Sequence, residues 1–217
     1  MTPNRNQLEE IYNRLYGAYG QQNWWPADTP FEVMVGAILT QNTAWINVVK
    51  AIQNLKQART LNTHSIIELS DEKLAELIRP SGYFNIKAKR LKNFTTWFVA
   101  EGRFNGLNKL DDKELRKRLL SVNGIGPETA DDILLYAFER PVFVIDAYTR
   151  RLLKKLQLIS GDESYETLRL YYESSLGPDV VLFKEYHALI VRHAKEKCSA
   201  ERTCLHCTVE APLAISN

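Results

Sequence analysis

Apolar residues recur along this chain at helical spacing, and almost nowhere at the period of two that a strand requires. Leu8, Ile11, Tyr12, Leu15 and Tyr19 line one face of a predicted helix that Gly20 closes. Phe31, Val35, Ile38 and Leu39 form a second stripe after Pro30, and Val48, Val49, Ile52 and Leu55 a third. Leu74, Leu77 and Ile78 form a shorter one, entered through Ser70-Asp-Glu-Lys with Ser70 as the predicted N-cap. Leu91, Phe94, Phe98 and Val99 follow. The β-branched stretch Phe143-Val-Ile stands alone and reads as a buried connector rather than a sheet strand. No solenoid repeat, low-complexity tract or Gly/Ser linker interrupts the pattern. The predicted class is all-α.

Composition adds limits. At 217 residues, 45% hydrophobic and 25% charged, the chain is long enough to bury a core without a disulfide scaffold. Three cysteines crowd between positions 198 and 207, an odd number that suits a reducing, cytoplasmic setting. The opening residues lack an apolar h-region, so no secretory leader is expected, and no apolar run is long enough for a membrane span. The net charge of +2 announces no partner by itself. Its distribution is more telling. Arg79, Lys87, Lys89, Arg90 and Lys92 form one acid-free run, and Arg150, Arg151, Lys154 and Lys155 form another. Either run alone reads as a solvated helix face; two of them flanking a phosphate-binding motif point to nucleic acid.

That motif lies at residues 115–138. Leu115, Leu119 and Val122 bury one helix, and Ala130, Ile133, Leu134 and Ala137 bury the next. Between them runs Asn123-Gly-Ile-Gly-Pro127. Gly124 and Gly126 permit positive φ and close backbone approach, Ile125 plugs the space between the helices, and Pro127 suits the first helical position. The tight turn offers free amides at a helix N-terminus, an anion site that fits a DNA phosphate and carries no sequence information. A purely structural helix–turn–helix is the competing reading. Just downstream, Val142-Phe-Val-Ile-Asp146 enters the second basic run, where Asp146 reads either as an ordinary N-cap or as a reactive carboxylate.

The hairpin, the short apolar run and the single Asp before a basic helix resemble the helix–hairpin–helix (HhH-GPD) superfamily of base-excision DNA glycosylases, the endonuclease III-like enzymes. The resemblance covers most of the chain. Leu39-Thr-Gln-Asn-Thr43 is similar to the family's Gln-bearing loop, Gly82-Tyr-Phe-Asn-Ile-Lys-Ala88 to its second DNA-contacting loop, and Phe183-Lys-Glu-Tyr-His-Ala-Leu-Ile190 to the helix before its cluster loop. Trp24-Trp-Pro26, Arg79-Pro-Ser-Gly82 and Lys87-Ala-Lys-Arg-Leu91 resemble the 3-methyladenine DNA glycosylase branch known from Helicobacter. The resemblance implies two helical lobes with a cleft between them: one of residues 23–135, carrying the base-flipping loop and the hairpin, and one of residues 1–22 joined to 136–217, carrying the catalytic Asp and the Cys loop.

It also implies roles. Asp146 would stabilise the oxocarbenium-like sugar and orient water. Bifunctional relatives carry a Lys immediately before Thr-Ala in the hairpin; this chain has Glu128, which cannot form a Schiff base, and no spacing nominates Lys109 or Lys113 instead. A monofunctional glycosylase is expected. Trp24, Trp25, Pro26 and Trp45, with Glu128, would form the pocket for a flipped base; core packing is the competing reading of the Trp cluster. Trp45 stands where the branch has a Phe, which reshapes the slot. Stacking favours a cationic alkylated purine through a cation–π gain. Gln41 would fill the gap left by the flipped nucleotide, Pro80 and Ser81 would wedge the opposite strand, and Lys87, Lys89 and Arg90 would contact phosphates. Gly124, Ile125 and Gly126 would hold the backbone.

Cys198, Cys204 and Cys207 read C-x5-C-x2-C, against the family's C-x6-C-x2-C-x5-C for a [4Fe–4S] cluster. The fourth thiolate is missing. A lost cluster, a cluster with a non-cysteine ligand, and a zinc site using His206 all remain open. No cofactor is required for the proposed chemistry. The expected partner is double-stranded DNA with a damaged base, met by a monomer. Two other functions stay in view: an endonuclease III-like glycosylase for oxidised pyrimidines or mismatched bases, and a non-catalytic helix–hairpin–helix DNA-binding module.

Overall fold

The computed structural model describes residues 3–198 and 209. Among them there is no strand; twelve α-helices, one 3-10 turn and one π turn account for the regular structure. No helix of the described residues is long and apolar enough to cross a membrane. The chain divides into two compact units, Ala27–Phe138 and Met1–Pro26 with Glu139–Asn217.

The unit of residues 27–138 is built around helix α2 (Pro30–Thr40). Thr29 caps it through its side chain and Pro30 occupies the first turn, where a missing amide costs nothing. Every residue from Glu32 to Leu39 is buried, the mark of a helix packed on all sides. Helices α3 (Trp45–Gln57), α6 (Phe84–Ala100) and α9 (Pro127–Asp132) pack against it. Helices α4 (Thr63–Glu68) and α5 (Asp71–Leu77) cover α6, with Ser70 capping α5 as its sequence predicts. Helix α7 (Arg103–Leu107) leads into α8 (Asp112–Leu120), the first arm of the hairpin. Its second arm, α9, widens at once into a π turn over Ile133–Ala137, and every residue from Thr129 to Phe138 is buried.

In the other unit, α1 (Arg5–Tyr19) opens with a complete capping box, Asn4 with Gln7, and ends at Gly20 with φ +65°. Helices α10 (Ala147–Lys155), α11 (Tyr165–Leu176) and α12 (Val180–Glu196) complete it; α12 packs on both α1 and α10. Val142–Ile145 is the buried connector that its β-branched sequence suggests, extended but unpaired with any strand. Phe143 stacks on Tyr172 at 3.9 Å between centroids and meets Phe183 and Tyr186 edge-on. This aromatic block anchors the connector three residues before Asp146.

Candidate active site

Asp146 is where the connector ends and α10 begins. Its backbone is extended and its Oδ1 accepts from Thr149 N at 2.7 Å and from Thr149 Oγ1 at 2.8 Å. The N-cap reading of this residue is therefore realised, by one oxygen. The other, Oδ2, faces His187 Nε2 at 3.5 Å, and the Asp146 side chain keeps 12% of its exposure. Burial pushes the carboxyl pKa up, but the nearby His187 imidazole, with the amide and hydroxyl of Thr149, outweighs it and holds Asp146 below the ordinary carboxylate range. An ionised carboxylate thus sits at a helix N-terminus. His187 lies on the buried face of α12, 41 positions downstream, and sequence spacing gives no hint of the pairing.

Other groups of the same unit converge here. Tyr172 lies close enough to Asp146 to feel its charge, and burial pushes its hydroxyl pKa well up. Lys195 sits with Nζ 5.5 Å from the Trp24 ring and 6.0 Å from Tyr148; burial lowers its pKa and the charge of Asp146 partly offsets this. Trp24 meets Trp25 edge-on at 6.4 Å, and both are half-buried, so the two rings do pack together. Trp24 presents a ring to Lys195 as well as to its neighbour, a contact the aromatic pattern alone does not predict. Pro26 is exposed at the end of this segment. Of the second basic run, Arg150 donates to Glu163 O and Arg151 to Cys198 O, so two of its charges are engaged locally.

The other unit carries the remaining predicted residues. Trp45 is half-buried in the first turn of α3, and Glu128 is exposed in the first turn of α9. In the hairpin, Ile125 is buried as a plug. Gly124 has φ +95°, and a Cβ there would lie 2.4 Å from Arg90 Cγ, so the turn needs glycine for two reasons. Gly126 does not: its φ is −94°, and a Cβ would meet nothing within 4 Å. Positive φ is thus used at one glycine only, and the second leaves open space before the helix. Arg116 grips Asp131 with Nε and Nη2 at 2.7 and 3.1 Å, a buried pair that ties α8 to α9.

Two predicted DNA contacts fail on burial. Lys87 is 1% exposed, and its ammonium donates to Leu39 O at 2.8 Å, Thr43 Oγ1 at 2.7 Å and Ser81 O at 2.7 Å. All its hydrogens are used, so it cannot reach a phosphate. Burial, with the charge of Arg90 adding, pushes its pKa down to about 8, which leaves it protonated at neutral pH. Ser81 is fully buried and its hydroxyl donates to Ile78 O at 2.7 Å, so it cannot wedge a strand. Pro80 is half-buried in the 3-10 turn Arg79–Ser81. The exposed group of this loop is Tyr83, at 62%, held in left-handed backbone (φ 47°) at the start of α6. Sequence reasoning passed it over; its signal was an aromatic directly after Gly82. Lys89 is exposed, and Arg90 is half-buried with Nη1 2.6 Å from Gln41 Oε1. Gln41 in turn donates Nε2 to Gly124 O and Thr129 Oγ1, both at 2.9 Å. Lys92, in the run that lacks acids in sequence, meets Asp71 at 2.8 Å.

Cys198 is buried beyond the end of α12; Cys204, Cys207 and His206 lie outside the described residues. Among the described residues, no three His, Cys, Asp or Glu side chains converge on a common point. Three thiols in the whole sequence do not complete a four-thiolate cluster set.

The sequence profile of the HhH-GPD superfamily of base excision DNA repair proteins matches residues 35–178. The chain belongs to this superfamily. A "Putative DNA repair glycosylase" of Methanocaldococcus jannaschii is 48% identical over 206 residues, 94% of each chain. Endonuclease III of Sulfolobus acidocaldarius is 28% identical over 184 residues, 82% of this chain and 79% of the other. Among solved structures, the 3-methyladenine DNA glycosylase of Helicobacter pylori bound to 1,N6-ethenoadenine superposes with a TM-score of 0.76 and 31% identity, over 88% of this chain and 98% of the other. As an HhH-GPD protein, the chain is a DNA glycosylase of base excision repair, and the reading as a non-catalytic binding module is set aside.

Proposed function

We propose that this glycosylase hydrolyses the N-glycosidic bond of cationic alkylated purines, 3-methyladenine above all, flipped from duplex DNA, and leaves an abasic site without cutting the strand. The observation that carries this reading is the ionised Asp146 carboxylate with one oxygen not used by its helix. As the bond to the base lengthens, positive charge grows on the deoxyribose. Oδ2 stabilises that charge and accepts a proton from the attacking water. His187 fixes the carboxylate's orientation and favours its charged form. An alkylated purine leaves as a neutral base, so little acid assistance is needed.

Glu128 at the hairpin position where bifunctional relatives carry lysine supports hydrolysis by water over amine attack. Trp24, Trp25 and Trp45 supply π-faces suited to an electron-poor ring. The likeness to a 3-methyladenine glycosylase at 31% identity supports the same class of base. On the DNA side, Gln41 enters the gap left by the flipped nucleotide. Tyr83 is the wedge against the opposite strand, the role that the sequence suggests for Pro80 and Ser81. The hairpin amides and the open space at Gly126 receive a phosphate, and Lys89 adds salt-dependent affinity. The protein works as a monomer, inside the cell, where its substrate is.

A second reading rests on the likeness to endonuclease III: excision of oxidised pyrimidines. One experiment separates the two. The protein is incubated with methylated duplex DNA and with duplex bearing oxidised pyrimidines, free bases are identified by chromatography, and strands are sized on a denaturing gel. Release of 3-methyladenine with an intact strand is expected; release of an oxidised pyrimidine, or strand scission at the abasic site, refutes the proposal.

A further inference from the structure

The buried ammonium of Lys87 occupies an unusual place. It has no carboxylate partner; its acceptors are two backbone carbonyls and a hydroxyl. Leu39 lies in the last turn of α2, and Ser81 ends the 3-10 turn. Both carbonyls belong to helix ends that lack an internal partner, and a cation is favoured there by the helix dipole. Thr43 Oγ1, besides accepting from Lys87, donates to Ser81 O, which closes the ring of contacts. One charge therefore terminates two chain segments and joins the loop that carries Gln41 to the loop that carries Tyr83.

One turn further along α6, Arg90 extends the connection. It holds Gln41 Oε1, while Gln41 Nε2 reaches the hairpin at Gly124 O and Thr129 Oγ1. Gln41, Tyr83 and the hairpin are thus fixed relative to a single helix. An apolar side chain of similar length would fill the space without burying an ion that has no counter-ion, though it would leave the Leu39 carbonyl without this donor. What an apolar residue could not do is fix the two loops to each other.

We infer that Lys87 is a positioning residue that locks the Gln41 loop and the Tyr83 loop into one rigid unit, so that the two enter opposite sides of the damaged base pair in register. This rests on the reading that both loops enter DNA. It goes beyond that reading in assigning the coupling to a side chain that touches neither DNA strand.

The test uses the full chain, Lys87→Met, and a milder variant, Thr43→Val, that removes one hydroxyl, an acceptor from Lys87 and a donor to Ser81 O, from the ring. Insertion is read from 2-aminopurine fluorescence opposite a tetrahydrofuran abasic analogue in duplex DNA. Chemistry is read as the single-turnover excision rate at saturating protein on a lesion held unpaired in a bubble. Lys87→Met is expected to weaken the insertion signal and duplex affinity about 10-fold or more and Thr43→Val about 3-fold, with the bubble rate within 2-fold of the unmodified protein. If Lys87→Met does not fold, Thr43→Val decides alone. An equal loss on duplex and bubble, or no loss on duplex, overturns the proposal. The control is Gln41→Ala: if it leaves the reporter as in the unmodified protein, the loop-entry reading itself is wrong and the proposal goes with it. A reporter sensitive to Gln41 but not to Lys87 or Thr43 removes the proposal alone.

Discussion

Asp146 has two jobs in the proposed mechanism, and substitution can separate them. Its Oδ1 caps α10, while its charge faces the sugar. Asparagine keeps an acceptor oxygen and caps about as well as aspartate, whereas alanine removes it. Asp146→Ala is therefore expected to be less stable than Asp146→Asn by about 1 kcal/mol. Both lose the negative charge. A carboxylate about 4 Å from the developing charge, at an effective dielectric of about 20, is worth about 4 kcal/mol, which corresponds to roughly 10³ in rate. Single-turnover excision of 3-methyladenine gives the rates, and urea unfolding gives the stabilities. The expected pattern is two equally inactive variants that differ in stability. If Asp146→Asn excises within about 10-fold of the unmodified protein, the carboxylate is a cap only and the mechanism fails.

Other substitutions report on its surroundings. His187→Phe removes the group that holds Asp146 ionised, so the acid limb of the pH–rate profile moves to higher pH; an unmoved limb refutes the pairing. The stability that this carboxyl contributes, present above its unfolded pKa and lost as pH falls through its depressed folded value, shrinks in the same variant. Arg116→Met leaves the buried Asp131 carboxylate without its bidentate partner and lowers stability by about 3–5 kcal/mol in thermal or urea unfolding; a loss below about 1 kcal/mol removes the pair as a structural tie. Gly124→Ala puts a methyl against Arg90 at a φ of +95° and costs about 1–3 kcal/mol, with duplex affinity falling as Gln41 loses its place. Lys89→Ala lowers the slope of log affinity against log salt by about 0.9 without changing which base is excised; an unchanged slope takes Lys89 off the DNA.

The helices were legible because their apolar stripes are long and their ends conventional: Ser70, Pro30 and Gly20 stand where the chain turns. The hairpin was legible from two glycines and a proline between apolar arms. Less legible was what the basic run does. Charge composition suggests a solvated or phosphate-binding face, yet Lys87 belongs to the buried stripe of α6 with Ala88, Leu91, Phe94 and Phe98. Its register, not its charge, was the signal. Ser81 illustrates the same point: a small polar residue in a loop that resembles a DNA-contacting one looks available, but the 3-10 turn spends its hydroxyl internally. His187 was beyond reach, because its link to Asp146 depends on α12 packing against α10.

The packing of α12 on α10 lets Asp146 cap a helix and still offer a charged oxygen to the proposed mechanism. A carboxylate has two oxygens and about four acceptor sites. In Asp146 the capping bonds both fall on Oδ1, from the amide and the hydroxyl of one threonine. A residue without a side-chain donor at position 149 would supply only the amide. The rotamer would then be held by one bond, and burial would press the carboxyl toward its neutral form with less to oppose it. Thr149 and His187 therefore act in the same direction from opposite sides, one securing Oδ1 and the other facing Oδ2. The Thr149 contacts that cap the helix start also favour the charged carboxylate, so in the proposed mechanism stability and reactivity at this position do not compete.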